Sequence, residues 1–168
     1  MHIRPELPRD FDTIDEIVRS AFANEHANGR EEVDIVRKIR TLDHCYIPDL
    51  SLVMDDDGEI VGHVMFSHSR IGDRPVLQLA PLAVAPPRQN QRIGDALSRE
   101  GLRLADERGE PLCLVLGHPN YYPRFGFGPA RAIGIEPEID GLPDDVWMAV
   151  KLSNYDQKIT GTAYFMPA

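Results

Sequence analysis

A strand, a helix and a second strand follow one another directly between residues 75 and 117, and this order restricts the folds open to the chain. The run PVLQLAPLAV (75–84) is predicted to be a strand, and the polar turn RQNQR leads from it into a helical pattern that ends near Gly109. The next run, PLCLVLG, is continuously apolar, which is typical of a strand buried on both faces and paired in parallel. A right-handed crossover then places the N-terminus of the helix at the carboxyl end of the first strand, where ligands of open mixed sheets tend to bind.

Helical patterns come before this unit. Residues 2–4 form a predicted edge strand, and residues 10–23 form an amphipathic helix with Asp10 as its N-cap. Residues 33–42 repeat the helical spacing, with acidic side chains near the start of this second helix and basic ones near its end. Two helices are therefore expected before the sheet.

Three strands in a row are predicted between the helices and the polar turn. The runs SLVMD and IVGHVMFSHSRI are joined by the turn DDGE and form a hairpin, and residues 75–84 extend it into an antiparallel meander. Pro81 removes a hydrogen-bond donor inside the third strand and marks a bulge or a pairing edge. After residue 117 we expect a small helix and one or two closing strands.

Length and charge restrict the class of protein. The 168 residues suit one compact domain, spanning 1–168. The net charge of −9 argues against nucleic-acid binding, because a phosphate backbone requires a basic surface. No stretch approaches the roughly 20 apolar residues of a membrane-spanning helix, and the first residues have no features of a secretory or transit signal, so we predict a cytoplasmic protein. Cys45 and Cys113 have no metal-site spacing, and no metal is expected.

The polar turn before the third helix has the residue types that a phosphate-binding loop requires. The first turn of a helix offers N–H groups without intrahelical acceptors, together with the positive end of the helix dipole. Gly94 lets the backbone approach a phosphate closely, and the small Ala96 avoids crowding it. Arg88 and Arg92 can add charge-assisted contacts. The alternative is a solvated loop in which the glycine merely starts a helix.

The segment QRIGDA (91–96) resembles the Q/R-x-x-G-x-G/A signature of the GNAT superfamily of N-acetyltransferases. The resemblance extends over nearly the whole chain, because two helices, a three-strand meander, the signature helix and a further strand come in the order of the family. It implies the mixed α/β GNAT fold of acyl-CoA N-acyltransferases, with a mostly antiparallel central sheet that is splayed between strands 4 and 5 and flanked by helices. The loop lacks the Gly-Lys-Ser/Thr of a Walker motif and two of the three glycines of a dinucleotide fingerprint.

The same resemblance implies acetyl-CoA as the cosubstrate and assigns residues to it. The backbone of Leu82, Ala83 and Val84 would hydrogen-bond the pantetheine arm, and an amide near Val84 would polarise the thioester carbonyl. Loop amides would hold the pyrophosphate, and they belong to Gln89, Asn90, Gln91, Arg92, Ile93, Gly94, Asp95 and Ala96.

The segment HPNYYPRFGF resembles a later motif of the family, in which a tyrosine precedes a Gly-Phe pair. Tyr122 is that tyrosine, with Gly126 and Phe127 as the pair. The resemblance implies that Tyr122 donates a proton or a hydrogen bond to the departing thiolate. Tyr121 is the remaining candidate, and the alternative is a core tyrosine packed on its aromatic neighbours. Asn120 is assigned a contact with the cofactor.

The general base is not specified by these patterns. Many family members carry a glutamate on the fourth strand, where this chain has Gln78, which cannot accept a proton. Either a chain of water molecules removes the proton of the amine or another residue accepts it. His63 and His68 on the third strand are candidates by their titration range. Glu25 and His26, in the loop between the two helices, are further candidates.

Three functions follow, in order of preference. The first is an N-acetyltransferase that transfers an acetyl group from acetyl-CoA to a primary amine by direct attack in a ternary complex. The second is a non-catalytic acyl-CoA-binding or regulatory domain, suggested by the missing glutamate, and the third is a nucleotide-dependent transferase. The amine, carried by a small molecule or a protein, cannot be inferred because loops without fixed spacing form its pocket. The ending GTAYFMPA resembles a subgroup of small bacterial GNAT proteins, and the resemblance allows a homodimer.

Overall fold

The structure is a computed structural model that describes residues 1–166, with the side chain of His26 excepted. The α-helices are α1 (Phe11–Ala21), α2 (Arg30–Arg40) and α3 (Ile93–Glu107). The strands are β1 (His2–Pro5), β2 (Tyr46–Asp56), β3 (Glu59–Ile71), β4 (Arg74–Val84), β5 (Leu112–Leu116), β6 (Gly128–Pro129), β7 (Ile135–Pro137), β8 (Trp147–Lys151) and β9 (Gly161–Tyr164). None of the helices in this range combines the length and the hydropathy that crossing a bilayer requires.

The strands form one mixed sheet that is mostly antiparallel and flanked by helices. Its strand order is β1-β2-β3-β4-β5-β8-β6, and β9 pairs with β3 and β7. β4 and β5, which are joined through α3, pair in parallel, and so do β7 and β9. The predicted α/β class, the antiparallel meander and the strand–helix–strand unit are confirmed.

Contacts group the chain into two compact units. The first comprises Met1–Phe66 and Pro81–Gly101, and the second comprises Ser67–Ala80 and the described chain from Leu102 onward. The strands β3 and β4 and the helix α3 contribute residues to both units. The expectation of one domain over residues 1–168 stays a prediction.

In the first unit, the apolar faces of α1 and α2 pack against strands. Helical spacing puts the apolar side chains of each helix on one stripe, and burying that stripe is what stabilises a short helix. α1 is buried against three strands: its residues Ile14, Ile17 and Val18 pack with Val53 of β2, Ile60 of β3 and Ala83 of β4. α2 is buried through Val36 and Ile39, which pack with Cys45 and Met65.

Asp10 is the N-cap residue of α1, as predicted, but its side chain makes no cap hydrogen bond to the helix. Its carboxylate instead accepts hydrogen bonds from the N–H of Leu7 at 2.8 Å and from Nη1 of Arg4 at 2.7 Å. A 3-10 turn at Pro8–Asp10 precedes α1 and directs the Asp10 side chain back toward β1. The carboxylate therefore stabilises the entry to the helix rather than its first turn.

The helix α3 passes so close to β3 that Gly101 has no room for a side chain. A Cβ atom at Gly101 would lie 2.0 Å from Cε2 of the buried Phe66. We expect Gly101→Ala to lower the free energy of unfolding by about 1–3 kcal/mol, the usual cost of overpacking, although alanine favours a helix. Urea unfolding measures the loss. The double variant Gly101→Ala/Phe66→Leu should regain part of it, and strictly additive losses would rule out the steric cause.

In the second unit, β5 is the central strand, as its continuous apolar run predicted. It pairs with β4 at Leu77↔Cys113 and Gln78↔Leu114, and with β8 along its whole length. The side chain of Cys113 is fully buried. The parallel register ends at Leu114 although β5 continues to Leu116, so the described pairing between β4 and β5 covers only their first parts. The predicted splay between these strands agrees with this short register.

The closing region contains more strands than predicted. Instead of one or two, the described chain has β6, β7, β8 and β9 after residue 117, with two to five residues each. Strands this short show too little of the two-residue period to be recognised, because long-range pairing rather than local pattern determines them. Their core centres on Trp147, whose Nε1 donates to the carbonyl oxygen of Ile135 at 3.0 Å.

The strand β4 carries one residue more than β3 across their shared length. The N–H of Ala85 donates to the carbonyl oxygen of Val61 at 2.9 Å, and Nε2 of Gln78 donates to Oγ of Ser67 at 3.1 Å. Between these contacts β3 advances six residues, from Val61 to Ser67, whereas β4 goes back seven, from Ala85 to Gln78. Side chains that bond must share a face, so β4 contains a bulge. Pro81 lies within this segment, where a missing N–H donor is tolerated.

Candidate functional site

The end of β4 presents backbone groups on the side away from β3. The N–H of Ala85 bonds to β3, and because neighbouring residues of a regular strand direct their N–H and C=O groups to opposite sides, we expect those of Val84 to point away from β3. The carbonyl oxygen of Val84 accepts a hydrogen bond from Nε2 of Gln89 at 3.1 Å. Leu82 is half-buried, and the side chain of Ala83 is buried in the cluster with α1. Val84 is thus the predicted partner whose N–H has the most clearly defined direction.

The loop after β4 adopts an unusual backbone before α3 begins. A 3-10 turn covers Pro86–Arg88, and both Asn90 and Arg92 have φ of 62°, in the left-handed region that L-residues rarely adopt. The N–H groups of Gln89 and Ala96 donate to the carbonyl oxygens of Pro86 at 3.4 Å and Arg92 at 3.0 Å. The amides between them, from residue 90 to residue 95, lie at the start of α3, where the helix dipole is positive, and they are candidates for holding a pyrophosphate.

Side chains fix the conformation of this loop. Nη2 of Arg88 donates to Oδ2 of Asp56 at 2.8 Å, and Nε of Arg88 donates to Oε1 of Gln91 at 3.2 Å. The hydrogen bond from Arg88 lowers the pKa of Asp56. Arg88, which the sequence suggested as a phosphate ligand, is thus bonded to other side chains of the protein. The sequence contained no signal for Asp56, because it lies 32 residues before Arg88 along the chain.

Gly62 sets the position of the first turn of α3. A Cβ atom at this residue of β3 would lie 2.8 Å from Cγ2 of Ile93 and 3.0 Å from Cδ1 of Leu97. Because the side chain is missing, the N-terminus of α3 packs directly on β3. A glycine inside a strand often marks such a close approach, and this was the one local signal in the sequence that could have identified the contact.

In the second unit, Tyr122 lies in an aromatic cluster after β5. Its ring is edge-on to Tyr121 at 5.1 Å and to Phe127 at 5.7 Å between centroids. A Cβ atom on Gly117 would lie 2.3 Å from Cε2 of Tyr122, so the ring rests against the backbone of Gly117. Burial raises the pKa of the Tyr122 phenol, which therefore stays protonated at neutral pH and can act as a hydrogen-bond donor. Asn120 is exposed in the preceding loop.

Two of the residues considered for the general base lie in the second unit. Gln78 is buried, and its side-chain amide donates to Ser67, so it holds a hydrogen bond between β4 and β3 rather than a proton-accepting site. Nε2 of His68 lies 2.8 Å from Oε1 of Glu110, and this partly buried pair occupies one ring nitrogen.

The other candidates lie in the first unit. His63 is fully buried, with Nε2 at 3.2 Å from Oε2 of Glu6 and at 3.1 Å from Oγ of Ser51. Burial lowers the pKa of His63, so its imidazole is neutral at pH 7. Glu25 is exposed, and the side chain of His26 lies outside the described part. Within the described residues, no group of three or more His, Cys, Asp or Glu side chains is placed to hold a metal ion.

Comparison with known proteins identifies relatives of the chain. The model of the Acetyltransferase (GNAT) family matches residues 11–127. Two Escherichia coli K12 proteins described as uncharacterized N-acetyltransferases are similar: YjhQ is 33% identical over 138 residues, which is 78% of this chain and 76% of that protein, and YhbS is 32% identical over 129 residues, which is 76% and 73%.

Solved structures share the fold. The E. coli GNAT family N-acetyltransferase YhbS in complex with CoA superposes with a TM-score of 0.84 and 28% identity, over 97% of this chain and 88% of that one. A GNAT family acetyltransferase from Brucella melitensis in complex with acetyl-CoA superposes with a TM-score of 0.78 and 30% identity, over 97% and 94%.

Proposed function

Because the chain belongs to the GNAT family of N-acetyltransferases and is accordingly an acyltransferase, we propose that it transfers an acetyl group from acetyl-CoA to a primary amine. The reaction proceeds by direct attack in a ternary complex. The observation that carries the proposal is the junction of β4, loop and α3, where Val84 directs its backbone away from β3 and the amides of residues 90–95 precede the helix. This junction offers hydrogen-bond donors to a thioester and to a pyrophosphate.

The donor side of the reaction uses backbone groups. The amides of residues 90–95 and the positive end of α3 hold the pyrophosphate of acetyl-CoA. The N–H of Val84 donates to the thioester carbonyl oxygen, where negative charge develops as the amine attacks. Backbone donors held by a sheet and a helix need no rearrangement during the reaction, which is the source of their catalytic effect.

The acyl transfer exchanges the C–S bond of the thioester for a C–N bond. The lone pair of the neutral amine attacks the carbonyl carbon, a C–N bond forms, and the C–S bond breaks from the tetrahedral intermediate. The hydroxyl of Tyr122 donates a hydrogen bond to the departing thiolate, which then takes up a proton from solvent and leaves as CoA. Because a phenol has an ordinary pKa of about 10 and an alkyl thiol one of about 8.5, the hydrogen bond rather than complete proton transfer supplies the stabilisation.

The proton of the attacking amine leaves through solvent. Gln78 cannot accept it, because a side-chain amide is not basic at neutral pH. On this proposal kcat/KM rises with pH as the free amine becomes neutral, and the midpoint follows the pKa of the acceptor when the acceptor is changed. The acceptor is a small-molecule or protein amine, and the net charge of −9 favours a cationic one.

A second function is a domain that binds acyl-CoA without catalysis. The specific observation in its favour is Gln78, whose side-chain amide is bonded to Ser67 where the resemblance to the family leads one to expect a titratable glutamate. An acetylation screen over small amines, polyamines, aminoglycosides, peptide N-termini and lysines separates the two functions. CoA release above the hydrolysis rate with any amine supports the transferase, and binding of CoA without transfer to any of them supports the second function.

We expect CoA to raise the melting temperature of the protein and ATP to leave it unchanged. A ligand present at 100 times its Kd stabilises the folded state by about 2.7 kcal/mol, which corresponds to a rise of roughly 5–10 °C for a domain of this size. Thermal unfolding with CoA, acetyl-CoA and ATP at equal concentrations measures the effect. A rise with ATP alone would instead indicate a nucleotide-dependent enzyme and would contradict the proposed cosubstrate.

A further inference from the structure

We propose that Asp56 is a positioning residue for acetyl-CoA, because through Arg88 it fixes the loop whose amides hold the pyrophosphate. The inference rests on the proposed function and assigns a role in the donor site to Asp56, at the end of β2. It also means that Arg88 stabilises the loop and does not bind a phosphate of the cofactor.

The contacts of Arg88 link the loop to the end of a strand. Asp56 is the last residue of β2, and the preceding Asp55 pairs with His2 of β1, so the position of this carboxylate is fixed by the sheet. Arg88 donates to Asp56 at 2.8 Å, and the two side chains are 23% and 30% exposed. The amine of Met1 lies 3.8 Å from the other oxygen of Asp56, which makes the carboxylate the acceptor for two cations.

The loop requires such an anchor because its backbone is strained. Asn90 and Arg92 both adopt left-handed φ, which asparagine tolerates but which an arginine keeps only where its surroundings enforce it. After Arg88, residues 89–92 are all exposed, so packing against the core does not hold this part of the loop. The chain of hydrogen bonds from Asp56 through Arg88 to Gln91 spans this stretch. Fixing the loop before the ligand arrives reduces the ordering cost of binding.

A role for Arg88 as a phosphate ligand predicts a different effect of removing the Asp56 carboxylate on the binding of CoA. If Arg88 bound a phosphate of the cofactor, Asp56 would compete for the same cation, and removing the carboxylate would strengthen binding. If Asp56 positions the loop, removing the carboxylate weakens binding. The sign of the change in CoA affinity therefore distinguishes the two roles.

The test compares Asp56→Asn with Asp57→Asn. Asp57 is the next residue, is exposed and has φ of 53°, which asparagine tolerates, so both variants lose one negative charge at nearly the same place. We expect Asp56→Asn to raise the Kd of CoA in calorimetry by about threefold to fivefold relative to Asp57→Asn, the factor that a part-exposed ion pair contributes. With S-acetylpantetheine, which lacks the pyrophosphate, the two variants should give equal kcat/KM.

Other outcomes overturn the proposal. Equal Kd values for the two variants, or tighter binding by Asp56→Asn, exclude a positioning role, and the latter assigns Arg88 to a phosphate. If Asp56→Asn lowers kcat/KM with S-acetylpantetheine as much as it weakens the binding of CoA, the substitution damages the fold in general and does not act on the pyrophosphate loop. Arg88→Gln and the double variant with Asp56→Asn should each weaken CoA binding as much as Asp56→Asn alone. A wild type that binds no CoA in the same titration refutes the proposed function instead.

Discussion

Replacing Tyr122 with phenylalanine should lower kcat about 100-fold, the lower end of the cost of removing a hydrogen-bond donor to a developing charge, while CoA binds as tightly as in the wild type. The change removes one oxygen atom from a ring that is held by Gly117, Tyr121 and Phe127. The ring itself stays, so the cluster keeps its packing. The expected loss is in the breakdown of the tetrahedral intermediate, where the thiolate departs, and therefore appears in kcat. Steady-state kinetics with an accepted amine and calorimetry with CoA give the two quantities.

Tyr121 offers a matched control for this prediction. Tyr121→Phe makes the same chemical change one residue earlier, on a ring that packs edge-on against Tyr122 and lies under the guanidinium of Arg124 at 4.3 Å. We expect its kcat to stay within about a factor of three of the wild type, as for a residue without a role in the transition state. A large loss in Tyr121→Phe with an active Tyr122→Phe would assign the donor role to Tyr121. If kcat falls in neither variant, neither of the two phenol hydroxyls takes part in the reaction.

The parts of the fold that were predictable are those in which local pattern and tertiary structure agree. The strand, loop, helix and strand from residue 74 to residue 116 lie where periodicity placed them, because β4 and α3 each display their period over more than ten residues. The same local pattern also predicted the loop that contains Gln91 and the glycine at the start of α3. Comparison with relatives then turned a resemblance into membership of a family.

The parts that were not predictable depend on contacts between distant residues. Asp56 and Arg88 are 32 positions apart, and Glu6 and Arg40 are 34 apart, so no window of local sequence contains either pair. The bulge in β4 needed the register of β3, although Pro81 indicated its neighbourhood. Titration range alone selects His63 and His68 as candidates for the general base, and only the structure shows that His63 is buried beside Glu6.

The buried polar network around Glu6 links β1, α2, β2 and β3 within the first unit. The Glu6 side chain is fully buried and accepts hydrogen bonds from Nε and Nη2 of Arg40 at 2.9 and 2.8 Å and from the hydroxyl of Tyr46 at 2.7 Å. The neutral imidazole of His63 donates to it through Nε2 at 3.2 Å. Burial alone would raise the pKa of Glu6, but the hydrogen bonds from His63 and Arg40 outweigh it and lower the pKa to about 2.

Arg40→Met should therefore destabilise the protein by about 3–5 kcal/mol at pH 7, the cost of leaving a buried carboxylate without its main partner. A domain of this size would lose roughly 10 °C in melting temperature. Methionine keeps most of the volume of the side chain, which separates the loss of charge from the loss of packing. Arg37→Met is the control, because Arg37 pairs with Asp15 at 2.8 Å but is 59% exposed, and such a pair contributes about 0–1 kcal/mol.

The pH dependence tests whether a buried carboxylate is the cause, and Glu6 is the carboxylate closest to Arg40, at 2.8 Å against 3.8 Å for Asp15. A carboxyl whose pKa is lowered on folding stabilises the protein fully above its unfolded pKa, near 4.5, and loses that contribution as pH falls toward about 2. In Arg40→Met the pKa of Glu6 rises, so protonation relieves the unpaired charge at a higher pH than in the wild type. The difference in free energy of unfolding between the wild type and Arg40→Met should then narrow below pH 5, as urea titrations at pH 7, 5 and 4 would show. A difference that stays constant over this range would mean that lost packing, and not the buried carboxylate, destabilises the variant.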